Sequence, residues 1–311
     1  MNQSIAYARR RPRRTMIYVS ADIDRHMTKA PALPTDTIIY DLHEPVAPQY
    51  KARARGKLRQ FIEGTKFLGQ ELVLRVNPID SPWIEDDLKE AAGLAIDAVM
   101  FTGLTSAEDV KSAERMLLAA DAGHLPLMCM IDSPLAVLNA AQIAAASERL
   151  VCLAVSNANL ITSMRLPPSQ DRTGLFTSLS IVVLAARAHG LSVVDGAHLD
   201  ITDPHACEYA CRQSRDFGFD GKAVIHPVQL AYTNDAFTPK PKEIKKKRKI
   251  IRLMEEAQAA GRSYAVMDSR LLQPSELDAA KRCLALHQAI QAREKKAFEQ
   301  EIRPDVQAAA R

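Results

Sequence analysis

Short runs of β-branched and apolar residues recur at Thr15–Ser20, Thr37–Leu42, Leu72–Asn77, Ala98–Gly103, Leu125–Asp132, Leu150–Asn157, Leu191–Ala197 and Lys222–Pro227. Within them the apolar side chains are largely contiguous rather than alternating, as in parallel strands covered on both faces. Helix-like segments lie between, among them Ala47–Glu63, Ile84–Gly93, Ser106–Ala120 and Pro134–Ser147. Strand and helix in alternation predict an α/β protein. Eight such units over about 230 residues fit a closed (β/α)8 TIM barrel, whose usual size is about 250.

Helix starts are legible. Thr105 or Ser106 followed by Glu108 and Asp109 places a capping oxygen and acids where a first turn leaves free N–H groups. Ser133-Pro134 opens another helix with Pro near its first position, and Asp80-Ser81-Pro82 can open the one before Leu88. Beyond the last strand the pattern changes. Lys240 to Arg252 reads KPKEIKKKRKIIR, with eight basic residues and one acid, in a helix that stops at Gly261. A second helix begins near Pro274-Ser275-Glu276 and runs to about Gln300. The expected organisation is a flexible basic N-terminus at 1–13, a barrel at 14–238, a C-terminal helical extension at 239–300 and a tail at 301–311.

Composition narrows the class. The 311 residues are 47% hydrophobic, enough to bury a full core. A net charge of +4, from 41 basic and 37 acidic residues, is too even to require nucleic acid or a membrane as partner. The basic run from Lys240 has no interleaved aromatics, which favours a solvated helix face over a nucleic-acid interface. No stretch approaches the roughly 20 apolar residues of a membrane span. The Arg-rich start lacks the apolar segment of a signal peptide. Five cysteines without a CxxC pair, two of them (Cys129 and Cys152) inside apolar runs, favour reduced thiols and a cytoplasmic location. Cys207 and Cys211, one helical turn apart, read as structural.

In a barrel the residues that follow each strand collect at one face, where sites form. Here they are Asp41, His43 and Glu44, then Arg75 and Asn77, Asp132, Asn159, Asp195, and Lys222 with His226. Arg75 ends the run ELVLRVN, so its charge must emerge at the mouth, where its planar fork could hold a carboxylate or thioester oxygen. A structural ion pair with Asp41 or Glu44 is the alternative. Asp132 and Asn159, on consecutive strand ends, offer two oxygens to a hard cation such as magnesium. Asn159 could instead cap the helix after it. His226 reads as a structural hydrogen-bonder. Gly221 reads as a point of close chain approach.

The order of motifs is similar to that of a known family. Arg14-Thr15 before MIYV, Lys29-Ala30, IIYDLHEPVAPQYKARAR at 38–55, LRVNP at 74–78, MIDS at 130–133, LAVSNANL at 153–160 and FGFDGKAVIHPVQ at 217–229 together resemble the HpcH/HpaI aldolase and citrate lyase beta-subunit family. That resemblance implies a barrel, a magnesium ion, carbon–carbon bond cleavage or formation beside a thioester or 2-oxo acid, and commonly a homotrimer. It implies Arg75 as a catalytic and substrate-binding group, with Asp41 and Glu44 around it and Asp132 and Asn159 at the metal positions. Arg14, Lys29, Asn77 and His43 are the further substrate-binding candidates. Asp268, in VMDS, resembles a C-terminal acid that members of the acyl-CoA branch place over a neighbouring subunit's site.

The departures matter as much. The family reads D-L-E-D-A-V where this chain has Asp41-Leu42-His43-Glu44-Pro45-Val46, Glu at Asp132, Asp at Asn159, and Pro-Lys near Thr102-Gly103. An amide at 159 removes one negative charge from a site whose cation sheds water reluctantly. Three outcomes follow: a lyase of altered substrate and weakened metal dependence acting on a 3-hydroxyacyl thioester or hydroxy acid, a metal-free relative, or a barrel kept for binding or regulation.

Overall fold

The apolar runs pair into one closed parallel barrel in sequence order: β1 (Thr15–Ser20), β2 (Thr37–Asp41), β3 (Glu71–Arg75), β4 (Ala98–Phe101), β5 (Leu127–Ile131), β6 (Leu150–Val155), β7 (Ser192–Asp195) and β8 (Gly221–Val224). The chain is seen in a computed structural model that describes residues 3–167 and 169–308, with side chains described for 5–167 and 169–297. Strand β8 closes the ring on β1, Thr15 lying opposite Lys222 and Met16 opposite Ala223. Most of the strands end one or two residues earlier than the apolar pattern suggests. The surplus positions, such as Leu42, Asn77 and Asp132, already belong to the loops of the mouth.

Both faces of every strand are covered, which explains the contiguous apolar runs. Inward side chains Met16, Ile39, Val73, Met100, Met128, Cys152 and Val194 fill the barrel. Their outward neighbours, including Ile17, Ile38, Leu74, Phe101 and Leu153, pack under the surrounding helices. Each such buried side chain contributes about 1.5–3 kcal/mol. The segment read as one helix from Pro134 divides at Asn139 into Pro134–Leu138 and Ala140–Ala145. The Asn139 side chain donates instead to the Thr105 carbonyl at 2.8 Å.

Residues 3–13, expected as a flexible basic start, include a helix that packs against the barrel. A helix spans Gln3–Ala8, and Ile5 and Ala8 join the inner cluster. Arg13 is fully buried, with its Nε 2.8 Å and Nη2 2.6 Å from the two Glu71 oxygens. Its Nη1 donates to Ser192 and its Nη2 also to the Ala8 carbonyl. The arginine charge that suggested a solvated arm is spent on sealing the N-terminal end of the barrel. Gly221 sits beside this turn, and an added Cβ would lie 1.8 Å from the Arg13 carbonyl oxygen, so only glycine fits.

The first compact unit ends at Phe237, and a second spans Thr238–Arg311. The second contains helices Pro241–Ala259 and Pro274–Ala308, the latter running into positions read as a tail. Between them lies a hairpin, β9 (Ala265–Met267) and β10 (Arg270–Leu272), which the sequence did not reveal. Three-residue strands are too short for alternation to register. Their turn, Asp268-Ser269, has both φ values positive, the twist that a two-residue hairpin needs. Ile250, Met254, Met267, Leu272 and Leu277 form this unit's own core.

Removing one partner of a buried ion pair strands the other charge. Glu71→Ala should therefore lower unfolding free energy by about 3–5 kcal/mol in urea titration, whereas Arg13→Met with Glu71→Leu should recover most of the loss.

Candidate functional site

Register builds the centre of the mouth. Asp41 and Arg75 are direct partners across β2 and β3, both turned inward, so their side chains must meet. Arg75 Nη1 lies 2.9 Å from an Asp41 oxygen and 3.0 Å from a Glu44 oxygen. Its guanidinium carbon sits 5.7 Å from the Tyr18 ring centroid. The remaining edge, Nε and Nη2, is buried and has no hydrogen-bond partner among the described residues. A buried unpaired guanidinium edge is costly unless something completes it. The ion pair with Asp41 and Glu44 thus uses Nη1 alone.

The other Asp41 oxygen accepts the His43 backbone N–H at 2.7 Å. Burial raises the Asp41 carboxyl, outweighing the attraction of Arg75 and the His43 N–H. Burial also pushes Glu44 up, but the hydrogen bond and charge of Arg75 overcome it. With help from His43 and a smaller hydrogen-bonding contribution from Asn159, Glu44 stays below the usual carboxylate range. Glu44 keeps 55% of its side-chain surface exposed, so it is the carboxylate open to solvent. His43 is half-buried, and burial followed by repulsion from Arg75 lowers its pKa, favouring the neutral ring at pH 7.

Sequence reasoning missed the support beneath this loop. Lys51 Nζ donates to the Leu42 and His43 carbonyls, each at 2.6 Å, and to Asn77 Oδ1 at 2.7 Å. Asn77 in turn donates to Asp87 at 2.6 Å and to the Leu42 carbonyl at 3.3 Å. Asp87 also accepts from Arg55 at 2.8 Å. The K-x-x-A-R spacing of Lys51 and Arg55 was the available signal. Asn77, expected to contact substrate, is fully buried with its amide donors and acceptor engaged, and it serves to shape the loop.

Arg14 is a second correction. It precedes β1 and its fork grips Asp36 at 2.9 Å, at the end of the barrel opposite the mouth, where no substrate at the mouth can reach it. Lys29 ends the exposed helix Asp24–Lys29 after β1. Asp268 belongs to the second unit, where Lys249 lies 3.2 Å away. His226 caps the turn Pro227–Gln229 by accepting the Val228 N–H, as its structural reading required.

Asp132 follows β5 and turns one oxygen to the Thr102 hydroxyl at 2.6 Å and the Gly103 N–H at 2.9 Å. Asn159 lies in the first turn of the helix Asn157–Ser163, whose cap position is Ser156, so it does not cap that helix. On the outward side, fully buried Asp195 accepts from Lys222 at 2.6 Å, Arg172 at 2.7 Å, Asn157 at 3.1 Å and Ser214. Asp195 and Lys222 therefore anchor the wall and not the mouth. Burial pushes the Asp195 carboxyl up, but Lys222 and Arg172 hold it far below the usual range.

The family model for HpcH/HpaI aldolase/citrate lyase matches residues 14–227. The chain belongs to the HpcH/HpaI aldolase/citrate lyase family. It is 34% identical over 281 residues to a (3S)-malyl-CoA thioesterase of Cereibacter sphaeroides, covering 90% of this chain and 96% of that one. The citrate lyase subunit beta of Leuconostoc mesenteroides is 27% identical, covering 90% and 94%. A solved citrate lyase beta subunit from Mycobacterium tuberculosis, complexed with oxaloacetate and magnesium, superimposes with a TM-score of 0.63 at 26% identity, covering 74% of this chain and 99% of that one.

Solved relatives are complexed with magnesium, and the donors here offer such an ion little charge. Among the described residues no group of three or more His, Cys, Asp and Glu gathers to hold a metal. Of the two expected ligands, Asn159 is a neutral amide that also contributes to Glu44, and Asp132 has an oxygen already committed to Thr102 and Gly103. One carboxylate and one amide give a magnesium ion a single negative charge, so they would hold it weakly.

The Asp195 network makes a pH prediction. Because the folded carboxyl is depressed, its stabilisation is full above the unfolded value of about 3.9 and disappears as pH falls through the folded value. Asp195→Asn should cost about 3–5 kcal/mol at pH 7, leaving Lys222 and Arg172 buried without their counter-charge. It should also flatten the loss of stability below pH 4, which denaturant titrations at several pH values would measure.

Proposed function

We propose that the barrel mouth binds a carboxylate-bearing hydroxy acid or its acyl thioester, such as an acyl-CoA, and cleaves a carbon–carbon bond in it with weakened metal dependence. The observation that carries this reading is the unpaired Nε–Nη2 edge of Arg75, buried beside the Asp41 carboxylate and beneath the solvent-open Glu44. Membership of a family with citrate lyase beta subunits and a malyl-CoA thioesterase supports the substrate class.

In a 3-hydroxyacyl thioester, cleavage removes the hydroxyl proton, breaks the bond between the α and β carbons and leaves the electron pair as a thioester enolate. Arg75 is the group in this reading that stabilises the enolate oxygen. Asp41 orients its fork from below, and Glu44, ionised at neutral pH, takes the hydroxyl proton. His43 supplies a neutral hydrogen bond at the rim, and Lys29 a surface charge for the ligand's carrier. Asp132 and Asn159 remain the oxygens that would face any cation brought with substrate. Asp268 acts in a neighbouring copy of a homo-oligomer on this reading. The free thiols fit work in the cytoplasm. No helix among the described residues is long and apolar enough to cross a membrane.

The poor metal donor set favours a second reading, a barrel that binds the same ligand class and regulates without turnover. Turnover of a 3-hydroxyacyl thioester, followed by release of free aldehyde or 2-oxo acid, separates the two. The lyase reading predicts turnover that falls about 10²–10³-fold in Arg75→Ala, as when one oxyanion donor is lost. Ligand-induced thermal stabilisation that requires Arg75 but proceeds without product would select the binding reading. Stabilisation and turnover both indifferent to Arg75 would refute the site itself.

A further inference from the structure

The most concentrated charge in the protein lies outside the barrel. In the second unit, Lys242, Lys245, Lys246, Arg248, Lys249 and Arg252 line a cavity of about 520 Å3, closed on one side by the hairpin turn that carries Asp268. Five of these cations, at 242, 245, 246, 249 and 252, follow the three- and four-residue spacing of one helix face, so they form a ridge and not a ring around the axis. Like charges at this spacing oppose one another by about 0.2–0.5 kcal/mol per pair. Asp268 is the single acid in the lining, and its bond to Lys249 leaves the ridge strongly positive.

We propose that this cavity is a binding site for a small molecule carrying two or more linked phosphates. Several cations within one concave surface focus a positive potential that a single carboxylate would satisfy poorly and a phosphate chain satisfies well. Arginine supplies forked bonds to phosphate oxygens, and lysine supplies compact point charges. The volume falls in the range of small-ligand sites, about 300–1,000 Å3. The lining holds no aromatic ring on which bases could stack, which favours a short phosphate chain over single-stranded nucleic acid. A free nucleotide and the nucleotide portion of an acyl carrier share this chemistry.

The test is calorimetric titration of inorganic tripolyphosphate into the full-length protein, beside Lys245→Gln/Lys246→Gln and Arg75→Ala. Glutamine keeps a helix propensity close to that of lysine, so the double variant should melt like the native protein. The expected result is saturable one-site binding that weakens as salt rises. It should fall about tenfold or more in the double variant and stay unchanged in Arg75→Ala, which separates this site from the barrel mouth. ATP and coenzyme A as competitors then identify the source: displacement by both marks a general nucleotide site, and displacement by coenzyme A alone marks the carrier's phosphates. No saturable tripolyphosphate binding, equal binding by the double variant, equal affinity for citrate, or tighter binding of an RNA oligomer than of any small phosphate would each overturn the proposal.

Discussion

The mouth of this barrel depends on a guanidinium that is buried and only partly satisfied. Arg75 reaches its position because β3 ends there with an inward side chain, and the parallel register sets Asp41 directly beside it. A charge so placed has to be paired, and Asp41 and Glu44 pair it along one edge. The other edge has no hydrogen-bond partner among the described residues. Full neutralisation by protein groups would have made Arg75 a structural element alone. Nε and Nη2 are a planar donor pair in a low-dielectric setting, where an unmet donor costs more than it would in water.

Holding that arrangement requires rigid surroundings, and the sequence spends buried charges on them. Lys51, Asn77, Asp87 and Arg55 fix the loop that carries His43 and Glu44. Lys222, Arg172 and Asp195 fix the wall on the far side, and Arg13 with Glu71 closes the floor. Each holds a buried ion pair, Arg55 with Asp87 in the first, whose desolvation is offset by several hydrogen bonds and which costs heavily if one partner is lost. The same economy explains the poor metal site. With Glu44 paired to Arg75 and an amide at Asn159, Asp132 is left as the main negative charge for a divalent cation.

Much of the fold was legible because covered parallel strands leave contiguous apolar runs, and runs such as Leu150–Val155 have few other readings. Strand ends were less so. At Leu42, Asn77 and Asp132 the chain leaves the sheet while its composition stays strand-like, and only hydrogen bonding marks the boundary. Among site residues, Asp41, Glu44 and Arg75 could be grouped because inward positions at strand ends must converge. Arg14 and Asn77 could not be judged that way: motif order places a residue along the chain but does not say which end of the barrel it faces or whether its donors are already used. Lys51 escaped notice because a lysine within a charged helix looks solvated until a buried carbonyl and an amide are found at its tip.

A mouth organised around Arg75 leaves Asp132 and Asn159 as a weak donor pair for a metal ion. Calorimetric titration of magnesium into metal-stripped protein, without substrate, tests it most directly. The account predicts no saturable binding below about millimolar magnesium, since a divalent ion here would meet one committed carboxylate and one amide. Micromolar binding that disappears in Asp132→Asn would contradict it, because one carboxylate and one amide would then hold the ion tightly.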